Sequence, residues 1–187
     1  MIQKHSIALA HLIAEHCPQR CRGVEVGVFM GGTSAYLLQH LPGLERLYMV
    51  DRWDAEPFRH QRNKFSQMAA HGDAWHRRNE QIARDAVSFA GDRAVILKGD
   101  FRDMATLIAE PLDFCFLDAA HSCEDTLDQI IYYAGKIKPG GLVTGHDYDY
   151  PAPGYEVVAH AVDEYAAAVG AEVQVDCETY LWWFEKE

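Results

Sequence analysis

Short apolar runs alternate along the chain with segments in which apolar residues recur at helical spacing. This alternation is typical of an α/β domain with a mostly parallel sheet. The apolar runs predict seven strands, at 22–27, 47–51, 94–98, 113–118, 142–145, 172–176 and 180–185. The run Phe114-Cys115-Phe116-Leu117 is apolar throughout, which is expected of a strand that is covered on both faces.

Two predicted helix ends rest on a few residues each. Ser6 is expected to cap a first helix of about ten residues, because its hydroxyl can accept a hydrogen bond from a backbone N–H of the first turn. A later helix carries Leu127, Ile130 and Ile137 at helical spacing. Pro139-Gly140-Gly141 is expected to end it, since glycine and proline are common just beyond a helix C-terminus.

The end of the chain and residues 53–90 depart from the simple alternation. Too few residues separate the last two strands for a crossover, so these strands are predicted to form an antiparallel hairpin. The segment 53–90 is polar, carries helical stretches with a break at 71–73, and is long for a crossover. We interpret it as a helical insertion that can serve as a lid, within a single domain spanning residues 1–187.

Composition and charge narrow the class of partner. The 187 residues include 17 Lys and Arg against 28 Asp and Glu, a formal net charge of −11. Nucleic acids and anionic membranes are bound through basic patches, so neither is expected as a partner, and a small molecule is. No apolar stretch approaches the length of a membrane span. The N-terminus is predicted to be an amphipathic helix and not a signal peptide, so a cytoplasmic location is expected.

A glycine-rich loop, Val24-Glu25-Val26-Gly27-Val28-Phe29-Met30-Gly31-Gly32, follows the first predicted strand. Such a turn lets the backbone approach a ligand closely and places that ligand near a helix N-terminus. Asp51 ends the second predicted strand, where a carboxylate can accept two hydrogen bonds from a ribose diol. The spacing G-x-x-x-G-G differs from the G-x-G-x-x-G of dinucleotide folds. A tight turn with an unrelated aspartate is the alternative interpretation.

The loop, Asp51 and the order of the strands together resemble the class I S-adenosylmethionine (SAM)-dependent methyltransferases. The resemblance implies a Rossmann-like three-layer sandwich, with a mostly parallel seven-stranded sheet that ends in an antiparallel hairpin, and SAM as cofactor. Glu25 and Gly27 would hold the methionine amino group, and Asp51 the ribose. The other implied contacts are Gly31, Thr33 and Ser34 near the carboxylate, and Asp100 and Phe101 at the adenine. Trp53 is either a second stacking residue or a core residue of the lid.

Two more segments, at 117–124 and 144–148, follow neighbouring predicted strands and carry acidic and histidine residues. The carboxyl ends of such strands meet at one crevice. Four side chains are therefore expected to converge near the glycine loop: Asp118, His121, His146 and Asp147. Two carboxylates with imidazole suit a divalent cation, with Mg²⁺ or Mn²⁺ favoured by oxygen and Zn²⁺ or Fe²⁺ left open by nitrogen. Such a metal lowers the pKa of a bound hydroxyl, and His121 is the candidate general base at neutral pH.

The pattern D-x-x-H-S-x-E, then K-P-G-G, then H-D-Y resembles more closely a bacterial subgroup of small methyltransferases. This subgroup is related to the metal-dependent O-methyltransferases of the macrocin and catechol types. The resemblance implies Asp118, His146 and Asp147 as metal ligands. It implies His121 and Asp118 as catalytic residues, with Asp118 also contacting the cofactor. The catechol enzymes carry a lysine near the position of His121, which is a departure in this chain.

Other roles stay open for these side chains. Asp118 can face the SAM sulfonium without a metal, His146 can be a second base or a wall residue, and His121 can cap the following helix. The motifs together predict methyl transfer from SAM to a hydroxyl of a small molecule, with 53–90 and 148–156 as the substrate wall. The alternatives are a nicotinamide-dependent oxidoreductase and a non-catalytic SAM-binding regulator. The aromatic run at 180–184 is expected to fill the hairpin core, and a homodimer contact there stays open.

Overall fold

The computed structural model of the protein describes residues 3–56, 71–152 and 155–187. Its helices are α1 (Lys4–His16), α2 (Gly32–His40), α3 (Asp73–Val87), α4 (Phe101–Leu107), α5 (Cys123–Ala134) and α6 (Glu156–Val169). Its strands are β1 (Cys21–Val26), β2 (Leu44–Asp51), β3 (Ala94–Lys98), β4 (Leu112–Leu117), β5 (Ile137–Gly145), β6 (Gln174–Asp176) and β7 (Leu181–Glu185). A 3₁₀ helix, Ser88–Arg93, joins α3 to β3.

The strands form one seven-stranded sheet in the order β3-β2-β1-β4-β5-β7-β6. Neighbours from β3 to β5 are parallel, whereas β7 is antiparallel to both β5 and β6. The chain moves outward from β1 through β2 and β3 on one side, and through β4 and β5 on the other. This reversal opens a crevice at the carboxyl ends of β1 and β4, where ligands bind in open α/β sheets. The predicted fold class and the terminal antiparallel strands are confirmed.

Helices cover both faces of the sheet. Side chains of α1, α2 and α3 are buried in one apolar cluster with Phe114 and Phe116 of β4. Side chains of α4, α5 and α6 are buried in a second cluster with Cys115 and Leu117 of the same strand. Since alternate residues of a strand point to opposite faces, β4 is covered on both sides, which explains its unbroken apolar run. Burying a phenylalanine or leucine in this way stabilises the fold by roughly 1.5–3 kcal/mol.

Two predicted helix ends are wrong. Because α1 begins at Lys4, Ser6 lies in its first turn and does not cap it. The Ser6 hydroxyl instead hydrogen-bonds Thr33 Oγ1 of α2 at 2.9 Å, which links the beginnings of the two helices. At the other predicted end, α5 stops at Ala134 and Ile137 already belongs to β5.

The strand β5 runs through Pro139-Gly140-Gly141, which was expected to end a helix. Its register with β4 shifts between Leu112 and Phe114, as at a β-bulge. Pro139 is exposed there, so its missing N–H costs the sheet little. A Cβ at Gly141 would lie 2.6 Å from the carbonyl oxygen of Asp113, so the bulge requires glycine.

Residues 53–90 contain α3, which begins at Asp73, where the sequence predicts a break. Residues 57–70, on which the lid prediction also rests, lie outside the described residues, as do 153–154 of the predicted loop 148–156.

Trp182 and Phe184 are buried in the second cluster, as predicted for the aromatic run. None of the helices described has both the length and the apolar character needed to cross a membrane.

Candidate functional site

A cavity of about 340 Å³ opens at the carboxyl ends of β1, β2, β4 and β5, which is a size typical of small-molecule sites. Its wall includes four residues that the resemblance assigns to the cofactor, namely Gly27, Asp51, Phe101 and Asp118. The same wall includes the other members of the acidic and histidine group, namely His121, His146 and Asp147. The two sites proposed from the sequence are therefore parts of one cavity.

Two glycines bring the loop after β1 close to its neighbours. Gly27 has a φ of +97°, in the left-handed region that favours glycine. A Cβ at Gly27 would lie 2.1 Å from the carbonyl oxygen of Asp118, so no larger residue fits between the loops after β1 and β4. Gly31 has a φ of +75°, and a Cβ there would lie 3.0 Å from the Cα of Ala83 in α3. The glycine loop is thus fixed against both β4 and α3.

The carboxylate of Asp51 is held by backbone donors. Its two oxygens accept hydrogen bonds from the N–H of Phe29 at 2.7 Å and the N–H of Trp53 at 3.0 Å. Burial raises the pKa of Asp51, and these hydrogen bonds oppose that rise. The backbone N–H groups of Val28 and Arg52 also stabilise this carboxylate. Asp51 lines the cavity, where its oxygens can be shared with hydroxyl groups of a ligand.

Trp53 lies at the boundary between the cavity and the apolar core. It lines the cavity, and it is also packed in the first apolar cluster with 4% of its surface exposed. Its indole N–H donates to the carbonyl oxygen of Phe29 at 2.7 Å, and its φ of +44° is unusual for a large side chain. Backbone strain of this kind is concentrated at functional sites in proteins.

Three of the residues that the resemblance assigns to the methionine part of SAM are buried under the glycine loop and do not line the cavity. Glu25 is 2% exposed and accepts a short hydrogen bond from Ser34 Oγ. Burial raises the pKa of Glu25 to about 8, so this side chain is mostly protonated at neutral pH. Thr33 Oγ1 is hydrogen-bonded to Ser6 Oγ at 2.9 Å and to His5 Nε2 at 3.2 Å.

At the end of β3, Asp100 and Phe101 have different positions. Asp100 caps α4 by accepting from the N–H of Arg102 at 3.0 Å, and it is not among the residues that line the cavity. Phe101 is 2% exposed and does line the cavity. The guanidinium of Arg102 lies 4.2 Å from the centre of the Phe101 ring. The Phe101 ring is therefore packed against the Arg102 guanidinium.

Asp118, His121 and Asp147 form the tightest polar group in the cavity. Each offers one ligand atom, and these atoms lie within 4.8 Å of one another. His121 Nε2 lies 2.8 Å from Asp147 Oδ2 and 3.9 Å from Asp118 Oδ1. This buried Nε2 makes no well-aligned hydrogen bond, although it forms an ion pair with Asp147 when the ring is protonated.

The electrostatics of this group favour a proton on His121. Burial alone would lower the pKa of His121, but the carboxylates of Asp118 and Asp147 raise it to about 9. Burial would likewise raise the pKa of Asp147, but the imidazoles of His121 and His146 lower it below its usual range. In this arrangement His121 carries a positive charge at neutral pH, and Asp147 a negative one.

His146 contacts the same two carboxylates from its own ring nitrogen. Its Nδ1 is 2.9 Å from Asp147 Oδ1 and 3.7 Å from Asp118 Oδ1. The resemblance implies His146 as a ligand together with the two carboxylates. Asp118, His121 and Asp147 are the group whose ligand atoms all lie within 4.8 Å of one another, and His146 lies as close to both carboxylates as His121 does. The φ of +66° at Asp147 places its carboxylate between the two imidazoles.

Several residues of the cavity wall were not named individually from the sequence. His5, from the first turn of α1, lies with its ring 4.4 Å from that of His146. The ring of Tyr155 lies 4.6 Å from that of His121, and Asn79 of α3 also lines the cavity. None of the three belongs to a motif. Asn79 and Tyr155 lie within the segments 53–90 and 148–156 that were expected to form the substrate wall, whereas His5 is placed here by the packing of α1 on the sheet.

Comparison with known proteins places the chain in a family. A family model described as a methyltransferase domain matches residues 24–148. A search of curated protein sequences found no match. Among solved structures, an O-methyltransferase from Bacillus cereus in complex with SAH is similar, with a TM-score of 0.63, 15% identity, and coverage of 97% of this chain and 80% of that one.

Two other solved structures are similar over nearly the whole chain. The O-methyltransferase NovP has a TM-score of 0.67 and 22% identity, with 98% of this chain and 79% of that one covered. An rRNA methylase from Streptococcus thermophilus has a TM-score of 0.64 and 15% identity, with 100% and 98% covered. At these identities the structures show the fold alone, whereas the family model matches most of the chain. The protein belongs to the methyltransferase-domain family, as the glycine loop and the order of its strands predict.

Proposed function

We propose that this protein transfers a methyl group from SAM to a hydroxyl group of a small molecule, releasing S-adenosylhomocysteine (SAH) and a proton. One observation carries the proposal: the glycine loop and the acidic and histidine group share a wall of the same cavity, because Gly27 packs directly on the backbone of Asp118. A methyl donor held by the loop would therefore end beside groups that can accept a proton.

The cofactor half of the cavity suits an adenosyl group. Asp51 can share its oxygens with the two ribose hydroxyls, Gly27 allows close approach of the backbone, and Phe101 offers an aromatic surface. The O-methyltransferase from Bacillus cereus is in complex with SAH, which supports SAM as the donor here. Calorimetry with SAM and with NAD tests this assignment. Binding of NAD without binding of SAM would favour an oxidoreductase instead.

His121 is the proposed proton acceptor. Its pKa of about 9 depends on the carboxylates of Asp118 and Asp147, which His146 also contacts. A positive charge near Asp118, such as the sulfonium of SAM, weakens the effect of that carboxylate and lowers the pKa of His121. The imidazole then approaches the range in which it accepts a proton at neutral pH.

A divalent cation fits the same group. The buried Nε2 of His121 has no hydrogen-bond partner and faces two carboxylates, and this donor set suits Mn²⁺, Fe²⁺ or Zn²⁺, with Mg²⁺ if water completes the shell. Asp118, His121 and Asp147 would hold it. When bound, it would supply Lewis-acid activation of the acceptor hydroxyl. The base would then be the adjacent His146.

An RNA acceptor is the second candidate, because the rRNA methylase of Streptococcus thermophilus has a similar fold. The net charge of −11 argues against it, since RNA is bound through basic surfaces. Transfer of labelled methyl from SAM to a panel of hydroxylated small molecules, compared with transfer to ribosomal RNA, separates the two. Labelling of RNA alone would overturn the small-molecule assignment.

Variants test the catalytic residues once an acceptor is found. His121→Ala should retain SAM affinity and lose turnover, whereas His11→Ala, on the exposed side of α1, should retain both. Turnover that survives in both His121→Ala and Asp147→Asn would contradict the catalytic assignment. Full activity after exhaustive chelation, with no metal detected, would exclude the cation while leaving methyl transfer in place.

A further inference from the structure

Two buried side-chain atoms stand out in the part of the chain that the structure describes. Asn79 Nδ2 and His121 Nε2 are the only buried side-chain nitrogens or oxygens there without a hydrogen-bond partner. Buried polar groups are nearly always paired in native proteins, and an unpaired one destabilises the fold. Both residues line the same cavity. For His121 the proposed function supplies a reason, whereas Asn79 has none yet.

Asn79 is held in place by the packing of α3. It is 4% exposed, and it lies one turn before Ala83, which packs against Gly31 of the glycine loop. Trp75, one turn earlier on the same face, also lines the cavity, and its ring lies 5.6 Å from that of Phe29. The amide is thus fixed on a helix that contacts the loop at two points.

This part of the wall belongs to the end of the cavity that contains Asp51. Phe29, which contacts Trp75, donates its backbone N–H to Asp51. Asp51 can only accept hydrogen bonds, whereas the Nδ2 of Asn79 can only donate. A ribose hydroxyl both donates and accepts, and an adenine ring nitrogen accepts. The two side chains are therefore complementary to an adenosyl group.

We propose that Asn79 is a cofactor-binding residue whose amide donates a hydrogen bond to the adenosyl part of SAM. The inference rests on the proposed function, because it assumes that SAM fills this cavity. It assigns the unpaired amide to ligand binding rather than to the fold. It also gives α3 a part in holding the cofactor.

Two variants test the proposal in binding and melting experiments. Asn79→Leu removes the amide at similar size, and Asn79→Asp keeps the shape but not the donor. The probes are SAM, SAH and adenosine, which share the adenosyl group. Both variants should bind all three probes about five- to tenfold more weakly, the loss of one hydrogen bond. The melting temperature of ligand-free Asn79→Leu should stay unchanged or rise. Gln81→Leu, on the exposed side of α3, is the matched control and should bind as the wild type does.

Each other outcome has a definite meaning. Unchanged affinities in both variants would overturn the proposal, and a lowered melting temperature with unchanged affinity would assign Asn79 to packing. Weaker binding of SAM and SAH with unchanged binding of adenosine would place the contact at the methionine end and also overturn it. A wild-type protein that binds none of the three probes would overturn the proposed function itself.

Discussion

Glu25 allows a quantitative test of the electrostatics behind the glycine loop. Its side chain is 2% exposed and is hydrogen-bonded to Ser34. Burial, with a smaller contribution from Asp118 and Asp51, raises its pKa from 4.5 to about 8 against the effect of that hydrogen bond. In the unfolded chain the carboxyl titrates at its ordinary value. The folded protein therefore keeps a proton on Glu25 over a pH interval in which the unfolded chain has lost it.

The sign and the size of the effect follow from linkage. A group whose pKa is raised by folding contributes its full stability below the unfolded pKa, and this contribution is lost as the pH rises through the folded pKa. The contribution of Glu25 to the free energy of unfolding should therefore fall between pH 4.5 and about 8. The folded and unfolded pKa values of Glu25 differ by 8 − 4.5 = 3.5. Since each pH unit is worth about 1.4 kcal/mol, this contribution to the free energy of unfolding falls by roughly 5 kcal/mol over this range. Glu25→Gln keeps a hydrogen-bonding side chain but does not titrate.

Urea unfolding of the wild type and of Glu25→Gln across this pH range measures the difference directly. The contributions of groups common to both proteins cancel in the comparison. The free energy of unfolding of Glu25→Gln should therefore rise steadily relative to that of the wild type as the pH rises. Glu178→Gln, at an exposed position, should keep the wild-type dependence. Parallel curves for the wild type and Glu25→Gln would show that Glu25 is already ionised in the folded protein, and would refute the reasoning.

Three further predictions concern the walls of the cavity. Gly27→Ala should destabilise the protein by more than about 2 kcal/mol and abolish SAM binding by calorimetry, because the left-handed φ is strained for alanine and its Cβ would overlap a backbone carbonyl. Arg102→Met should cost about 3–5 kcal/mol in urea unfolding, because it removes the cation 2.6 Å from the fully buried Asp125; adding Asp125→Asn should recover much of the loss. Asp147→Asn should lower the pKa of His121 by about 1–3 in an NMR titration, because it removes one of two nearby carboxylates. An unchanged titration would show that Asp147 does not govern the proton on His121.

The sequence was sufficient for features that depend on local pattern. The strand at 94–98 is predicted with its observed bounds, and β4 is recognisable because an apolar run without alternation indicates cover on both faces. The hairpin follows from the short connection alone. The helix signal at Ile137 failed because Pro139-Gly140-Gly141, a common helix end, also suits an exposed bulge. Only the register of β5 with β4 distinguishes a β-bulge from a helix end at these residues.

The site was predictable to the level of segments but not of atoms. Strand ends place Asp118 and Asp147 together, since both follow neighbouring parallel strands. The sequence does not reveal that His121 and His146 both lie beside the two carboxylates, at 2.8 and 2.9 Å from Asp147, because this depends on the φ of Asp147 and on two ring orientations. The role of Asn79 is even less predictable from the sequence. An unpaired amide is a property of its surroundings, and no motif encodes it.

The carboxylates of Asp118 and Asp147 connect the steps of the proposed reaction. The proton on His121, the sulfonium of SAM and a divalent cation are each stabilised by the same two negative charges, so each weakens the binding of the others. Without the donor, the proton stays on His121, whose pKa is about 9, and the imidazole cannot act as a base. A sulfonium beside Asp118 lowers that pKa and makes the nitrogen available. In the proposed reaction, charge balance alone therefore favours release of the proton from His121 when the methyl donor binds.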